Sequence, residues 1–194
     1  MPFEFFPENM VKYIWKYLAK KENGMHKVGE NILYGSGGVM HVVDIREESV
    51  GGAPRQYYVL RAHGAHEDSL TYVPVDNEKL TSMMYPVMTE EELDLLFRNT
   101  AEAEGEEWLA DSKARGESFR KILDSGDRLA LMRMIRSISL ASERRSREGK
   151  KNFLSDENAM RKAKKLLYSE ISLIKGMAED EVEDFVTREI EKYR

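Results

Sequence analysis

The sequence predicts an α+β protein built in two parts: a small, strongly bent antiparallel sheet or partly open barrel, followed by a C-terminal helical bundle. Three observations predict it. Between Val28 and Val87 the apolar residues come in short β-prone runs broken by Gly and Pro, whereas after Thr89 they recur every three or four residues. Charge also segregates. Asp111 to Lys165 holds 16 Lys and Arg against 8 Asp and Glu, a net of +8, and the rest of the chain carries −13 within a total of −5.

Each strand has its own signal. "ILYGSGGVMHVVDIRE" reads as two strands joined by the glycine turn Gly35-Ser36-Gly37-Gly38. "SVGGAPRQYYVLRA" uses Gly51, Gly52 and Pro54 as punctuation before Tyr57, Tyr58, Val59 and Leu60. "SLTYVPVD" and "SMMYPVM" supply two more strands, and Pro74 and Pro86 belong at edges, bulges or strand ends because proline cannot donate to a ladder.

The helices follow. Thr89 reads as an N-cap, Glu92 three residues on completes a capping box, and Leu93, Leu96 and Phe97 form the apolar side of a helix ending near Asn99. The acidic stretch "AEAEGEE" reads as the domain boundary, so the expected division is an extension over 1–24, a sheet domain over 25–99 and a helical domain over 106–194. Helices are expected near 106–123, 127–147, 155–175 and 179–192, with Ser125-Gly126-Asp127 separating the first pair and Ser155-Asp156-Glu157 capping the third. In the extension, Met10, Ile14 and Leu18 line an amphipathic stripe flanked by lysines; it could pack on the strand domain, dock on a partner or membrane surface, or precede a later natural start at Met25.

Composition excludes several chemistries. At 41% hydrophobic and 34% charged residues, with no membrane-length apolar run and no secretory-type start, the chain is expected to be a cytoplasmic protein without a membrane partner. With no cysteine it has no disulfide, thiolate zinc site or cysteine nucleophile. His63 and His66, followed by Glu67 and Asp68, contain enough ligand types for a metal, but nothing else supplies a matching group; His26 and His41 are isolated. The GSGG turn joins strand to strand rather than strand to helix, and the patterns GxxxxGK[ST], GxSxG and HExxH are absent. No catalysis, metal or cofactor is expected.

Trp108 and the basic block remain. On a helix, Trp108, Arg115, Phe119 and Ile122 share one side, so the indole could begin a core stripe. It could equally act as an apolar wedge at a domain edge, with cations holding phosphates around it.

Taken together these stretches resemble the CarD/CdnL family of bacterial transcription factors. "HKVGENILYGSGGVMHVVDI" is similar to the family's opening, "QYYVLRA" and "LTYVPVD" to its next strands, "KILDSGDRLALMRMIRSI" to its SGD-plus-long-helix signature, and "LSDENAMRKAKKLLYSEISL" to the segment that follows. The resemblance implies a Tudor-like N-terminal domain that binds the RNA polymerase β subunit and a helical domain that touches promoter DNA, mostly without sequence specificity. It favours the wedge reading of Trp108 at the upstream edge of an open promoter bubble, with Lys113, Arg115, Arg120, Lys121, Lys150, Lys151 and Lys162 as phosphate contacts. It implies a polymerase contact at Arg46, Glu48, Tyr72, Val73 and Pro74, a monomer, and a nucleoid-associated location. Three departures accompany it. Tyr72 and Glu48 stand where relatives often carry cations, with Arg46 two residues before Glu48 on the same strand face. Trp108 also lies about four residues further from Ser125-Gly126-Asp127, a change that preserves its face if the extra residues are helical.

Overall fold

The computed structural model describes residues 26–49, 52–63, 69–102 and 108–193. The extension over 1–24, the histidine-loop residues His66, Glu67 and Asp68, and most of the acidic linker lie outside the described residues. Among those described, contacts divide the chain into two compact units: 26–32 with Met40–Pro86, and Leu33–Val39 with the residues from Val87 onward.

Five strands form one sheet in the order β4-β3-β2-β1-β5: β1 is Asn31–Tyr34, β2 Val39–Glu48, β3 Arg55–Ala62, β4 Leu70–Pro74 and β5 Met84–Pro86. Strand β2 runs antiparallel to β3 from Met40↔Ala62 to Glu48↔Arg55, and a register shift between Val42 and Asp44 sharpens its twist. Strand β4 continues the pattern against β3, from Tyr57↔Pro74 to Arg61↔Leu70. Among the described residues the sheet is open, which is the first of the two forms the sequence allowed. Its edges are the five residues of β4 and the three of β5, which do not pair with each other. Pro74 and Pro86 end these two edge strands, where a missing N–H costs no ladder bond. A short helix that the strand pattern had hidden, α1 (Glu78–Thr81), lies between them; Asn77 caps it by accepting from the Leu80 N–H at 3.2 Å.

The β1–β2 turn is a single 3-10 turn over Gly35–Gly37 and belongs to the second unit. Gly38 has φ +82° and lies so close to helix α5 (Leu154–Lys175) that an added Cβ would meet the Ser169 hydroxyl at 3.3 Å. Positive φ and close approach both select glycine there.

The other helices of this unit are α2 (Glu90–Glu102), α3 (Ser112–Ser125), α4 (Arg128–Arg147) and, after a 3-10 turn at Glu179–Glu181, α6 (Val182–Glu191). Thr89 and Glu92 form the expected capping box: the Thr89 N–H donates to Glu92 Oε2 at 2.8 Å and the Glu92 N–H to Thr89 Oγ1 at 3.3 Å. Gly126, at φ +67°, ends α3, and Asp127 caps α4 by accepting from the Ala130 N–H. Leu93, Leu96 and Phe97 of α2 pack in one core with Phe119, Met134, Ile138, Leu167, Ile171 and Val186. Contacts therefore group α2 with the later helices, ahead of the acidic linker taken from the sequence as the boundary.

An ion pair is buried in this core. Glu170, with no exposed surface, accepts from Arg128 Nη2 at 2.8 Å and Nε at 3.1 Å, and its Oε1 also accepts from the Met88 N–H at 2.8 Å. The carboxylate thus joins two helices to the backbone just before α2, and the bidentate geometry offsets its loss of water.

Candidate functional site

Trp108 does not lie on a helix. The expected helix from 106 starts only at Ser112, because Asp111 takes an extended conformation and its side chain accepts from the Ala114 N–H at 2.7 Å. The indole therefore approaches the side of α3 from the preceding coil, with its ring centroid 6.4 Å from that of Phe119 and part of its surface accessible.

Arg115 holds that coil in place. Its Nη1 donates to the carbonyl oxygens of Leu109, at 2.7 Å, and Ala110, at 3.3 Å, immediately after the tryptophan. Its Nε and Nη2 donate to the Asp156 carboxylate at 3.2 and 2.9 Å, and its guanidinium carbon lies 4.5 Å from the Trp108 ring centroid and 5.3 Å from that of Phe153. Only 2% of the Arg115 side chain and 7% of the Asp156 side chain are exposed. This corrects two expectations. Arg115 is not a phosphate contact, since its charge is buried and matched. Asp156 does not cap α5 with its neighbours; that helix starts at Leu154 without a side-chain cap, and Asp156 turns to the arginine.

The remaining cations of the predicted interface, Lys113, Arg120, Lys121, Lys150, Lys151 and Lys162, are all exposed. Lys150 pairs with Glu148 at 2.7 Å, and this bond depresses the Glu148 carboxyl pKa. Beside Trp108 opens a cavity of about 350 Å³ between residues of α4 and α5. Its lining brings in Arg145, Phe153 and Arg161, none of which the sequence reading singled out, together with Met160 of the apolar helix face. Arg145 lies 4.2 Å from the Phe153 ring centroid and donates to the Lys151 carbonyl oxygen at 2.8 Å. An aromatic directly before the "LSDE" helix start, with arginines on the helix before it, was the available signal.

The sheet carries a second cluster. Arg46 Nη2 donates to the Tyr72 hydroxyl at 2.9 Å and Nε to Glu48 Oε1 at 2.8 Å, while Nη1 lies 3.6 Å from Asp44 Oδ2. Tyr72 and then Glu48 raise the guanidinium pKa. Register explains the grouping: Arg46, Tyr57 and Pro74 form one cross-strand row, and Asp44, Val59 and Tyr72 the next row on the same face. Val73 points to the opposite face and is fully buried, so its side chain is not part of that surface.

Two of the histidines, His41 and His26, are engaged locally. His41 Nδ1 meets Asn31 Oδ1 at 2.9 Å; His26 Nδ1 meets Glu30 at 3.2 Å, and its backbone N–H donates to the Tyr58 hydroxyl. Burial is the main cause of the raised Tyr58 pKa. Among the described residues no group of three or more His, Cys, Asp or Glu could hold a metal ion, and no helix is long and apolar enough to cross a membrane.

Residues 26–88 match the CarD-like/TRCF RID domain, and residues 96–187 match the CarD C-terminal domain. The chain belongs to the CarD/CdnL family. CarD-like domains mark transcription-associated factors that interact with RNA polymerase, and they are non-catalytic regulators. The first CarD match ends just ahead of the Thr89 cap, and the second runs from α2 into α6. No curated protein matches this CarD-family chain.

Proposed function

We propose that the sheet unit, as a Tudor-like domain, docks on the β subunit of RNA polymerase and that the helical unit stabilises the open promoter complex at the upstream edge of the bubble. In this reading the protein acts as a monomer in the nucleoid, and its DNA contacts are mostly independent of sequence. The observation that carries it is the partly exposed indole of Trp108, held on the buried Arg115–Asp156 pair in a segment where Lys113, Arg120 and Lys121 face solvent. A rigid aromatic edge gains more from bases that have lost their partners than from a closed stack, because every exposed base offers a face. Arg46, Glu48, Tyr72 and Pro74 form the surface offered to polymerase, with the β4 edge available for strand addition. Tethering through polymerase raises the local concentration of a module whose few phosphate contacts bind DNA weakly alone.

The test is the lifetime of the polymerase–promoter open complex. Trp108→Ala is expected to shorten it about tenfold, on the scale of one lost base–aromatic stack, while polymerase still co-purifies. An unchanged lifetime with a folded variant refutes the DNA contact and leaves a module that binds only protein.

A further inference from the structure

The groove beside Trp108 has features that an edge-on wedge does not require. Trp108 and Phe153 provide aromatic surfaces, Ile138 and Met160 provide apolar ones, and the Arg145 guanidinium carbon lies 4.2 Å from the Phe153 ring centroid. The Asn152 amide donates to the Ser142 hydroxyl at 2.7 Å, so the amide oxygen and the hydroxyl proton remain to meet the edge of a planar polar ligand. Of the two lining carboxylates, Asp156 is committed to Arg115, and Glu157 is outnumbered by Arg145, Arg161 and Lys164. Arg161 has no ion-pair partner among the described residues, whereas Lys164 is held by Glu183 at 2.7 Å. A cavity of about 350 Å³ falls at the small end of ligand sites.

We infer that this groove receives one unpaired nucleobase, extruded from the melted strand next to Trp108, with the cations at its rim on the adjoining phosphates. The inference rests on the proposed function and names the ligand that would give it its preference for melted DNA. A paired base cannot enter, because leaving the stack costs both pairing and stacking; a base already melted has lost its pairing.

The experiment uses the full chain at low salt with labelled DNA in three forms: a paired duplex, the same duplex with a short internal bubble, and that bubble with an abasic nucleotide moved through each position. Wild type is expected to prefer the bubble to the duplex and to lose about tenfold in affinity when the abasic nucleotide reaches one position, the scale of a single base–aromatic stack. Ala141→Phe, which fills the groove and leaves the charges and Trp108 in place, is expected to show the same loss and no further response to the abasic nucleotide. Phe153→Leu, which keeps an apolar wall without a ring, serves as the second variant should the first unfold. If Trp108→Ala abolishes the bubble preference while abasic scanning and groove filling do nothing, the pocket inference is overturned and the proposed function stands. If wild type does not distinguish bubble from duplex, the pocket inference and the DNA contact of the proposed function both fall, and a module that binds only protein is left. If groove filling weakens polymerase capture alone, the occupant is a protein side chain and the inference is overturned.

Discussion

Arg46 on the sheet and Arg115 among the helices each lie over aromatic rings and each hold a carboxylate, yet 45% of the Arg46 side chain is exposed against 2% for Arg115. Around Arg46, water screens its bonds to Glu48 and Tyr72, so they can be exchanged for a partner's groups without leaving a bare charge. Around Arg115, losing Asp156 would strand a charge away from water, and the same guanidinium also carries the backbone after Trp108. The difference teaches that equal residue types serve opposite purposes: one arginine stays at the surface with bonds that water screens, the other is a buried scaffold under a tryptophan.

The comparison can be broken most easily at Arg115. Arg115→Ala is expected to destabilise the protein by about 3–5 kcal/mol in urea unfolding, since Asp156 stays buried without its partner. Adding Asp156→Leu to Arg115→Met is expected to recover most of that loss and still weaken the bubble preference, because the carbonyls of Leu109 and Ala110 lose their donor. A loss no larger than that of an exposed pair would show that Arg115 is screened after all. A smaller effect is expected at the cap: Asp111→Ala should cost about 1 kcal/mol and loosen the coil bearing Trp108, read as a red shift of its fluorescence in a Trp15→Phe background. Smallest in stability is Arg46→Ala, whose unfolding midpoint is expected to match wild type while capture of polymerase weakens; a lowered midpoint would give Arg46 the structural role that its exposure argues against.

Much of the fold was legible. The glycine turn at Gly35–Gly38, the Thr89–Glu92 capping box and the Gly126–Asp127 break between α3 and α4 each follow from chemistry within a few residues of chain. The family could be read from five motifs in order, and both matches agree. Less of the site was legible. Arg115 looked like one more cation of a basic block, because its Asp156 partner is 41 residues away. Val73 looked like a neighbour of Tyr72 on one surface, although strand alternation places them on opposite faces. Trp108 fitted a helical spacing whose start Asp111 moves past it.

The sequence by itself determined the two periods, the caps and turns, and the basic block, because backbone preference and hydrogen bonding within about four residues set these. Only the tertiary structure decided which charges lost their water, and with them the platform under Trp108 and the groove beside it. Arg115 with Asp156, and Arg128 with Glu170, are paired across more than 40 residues by helix packing, and burial then makes each charge depend on its partner.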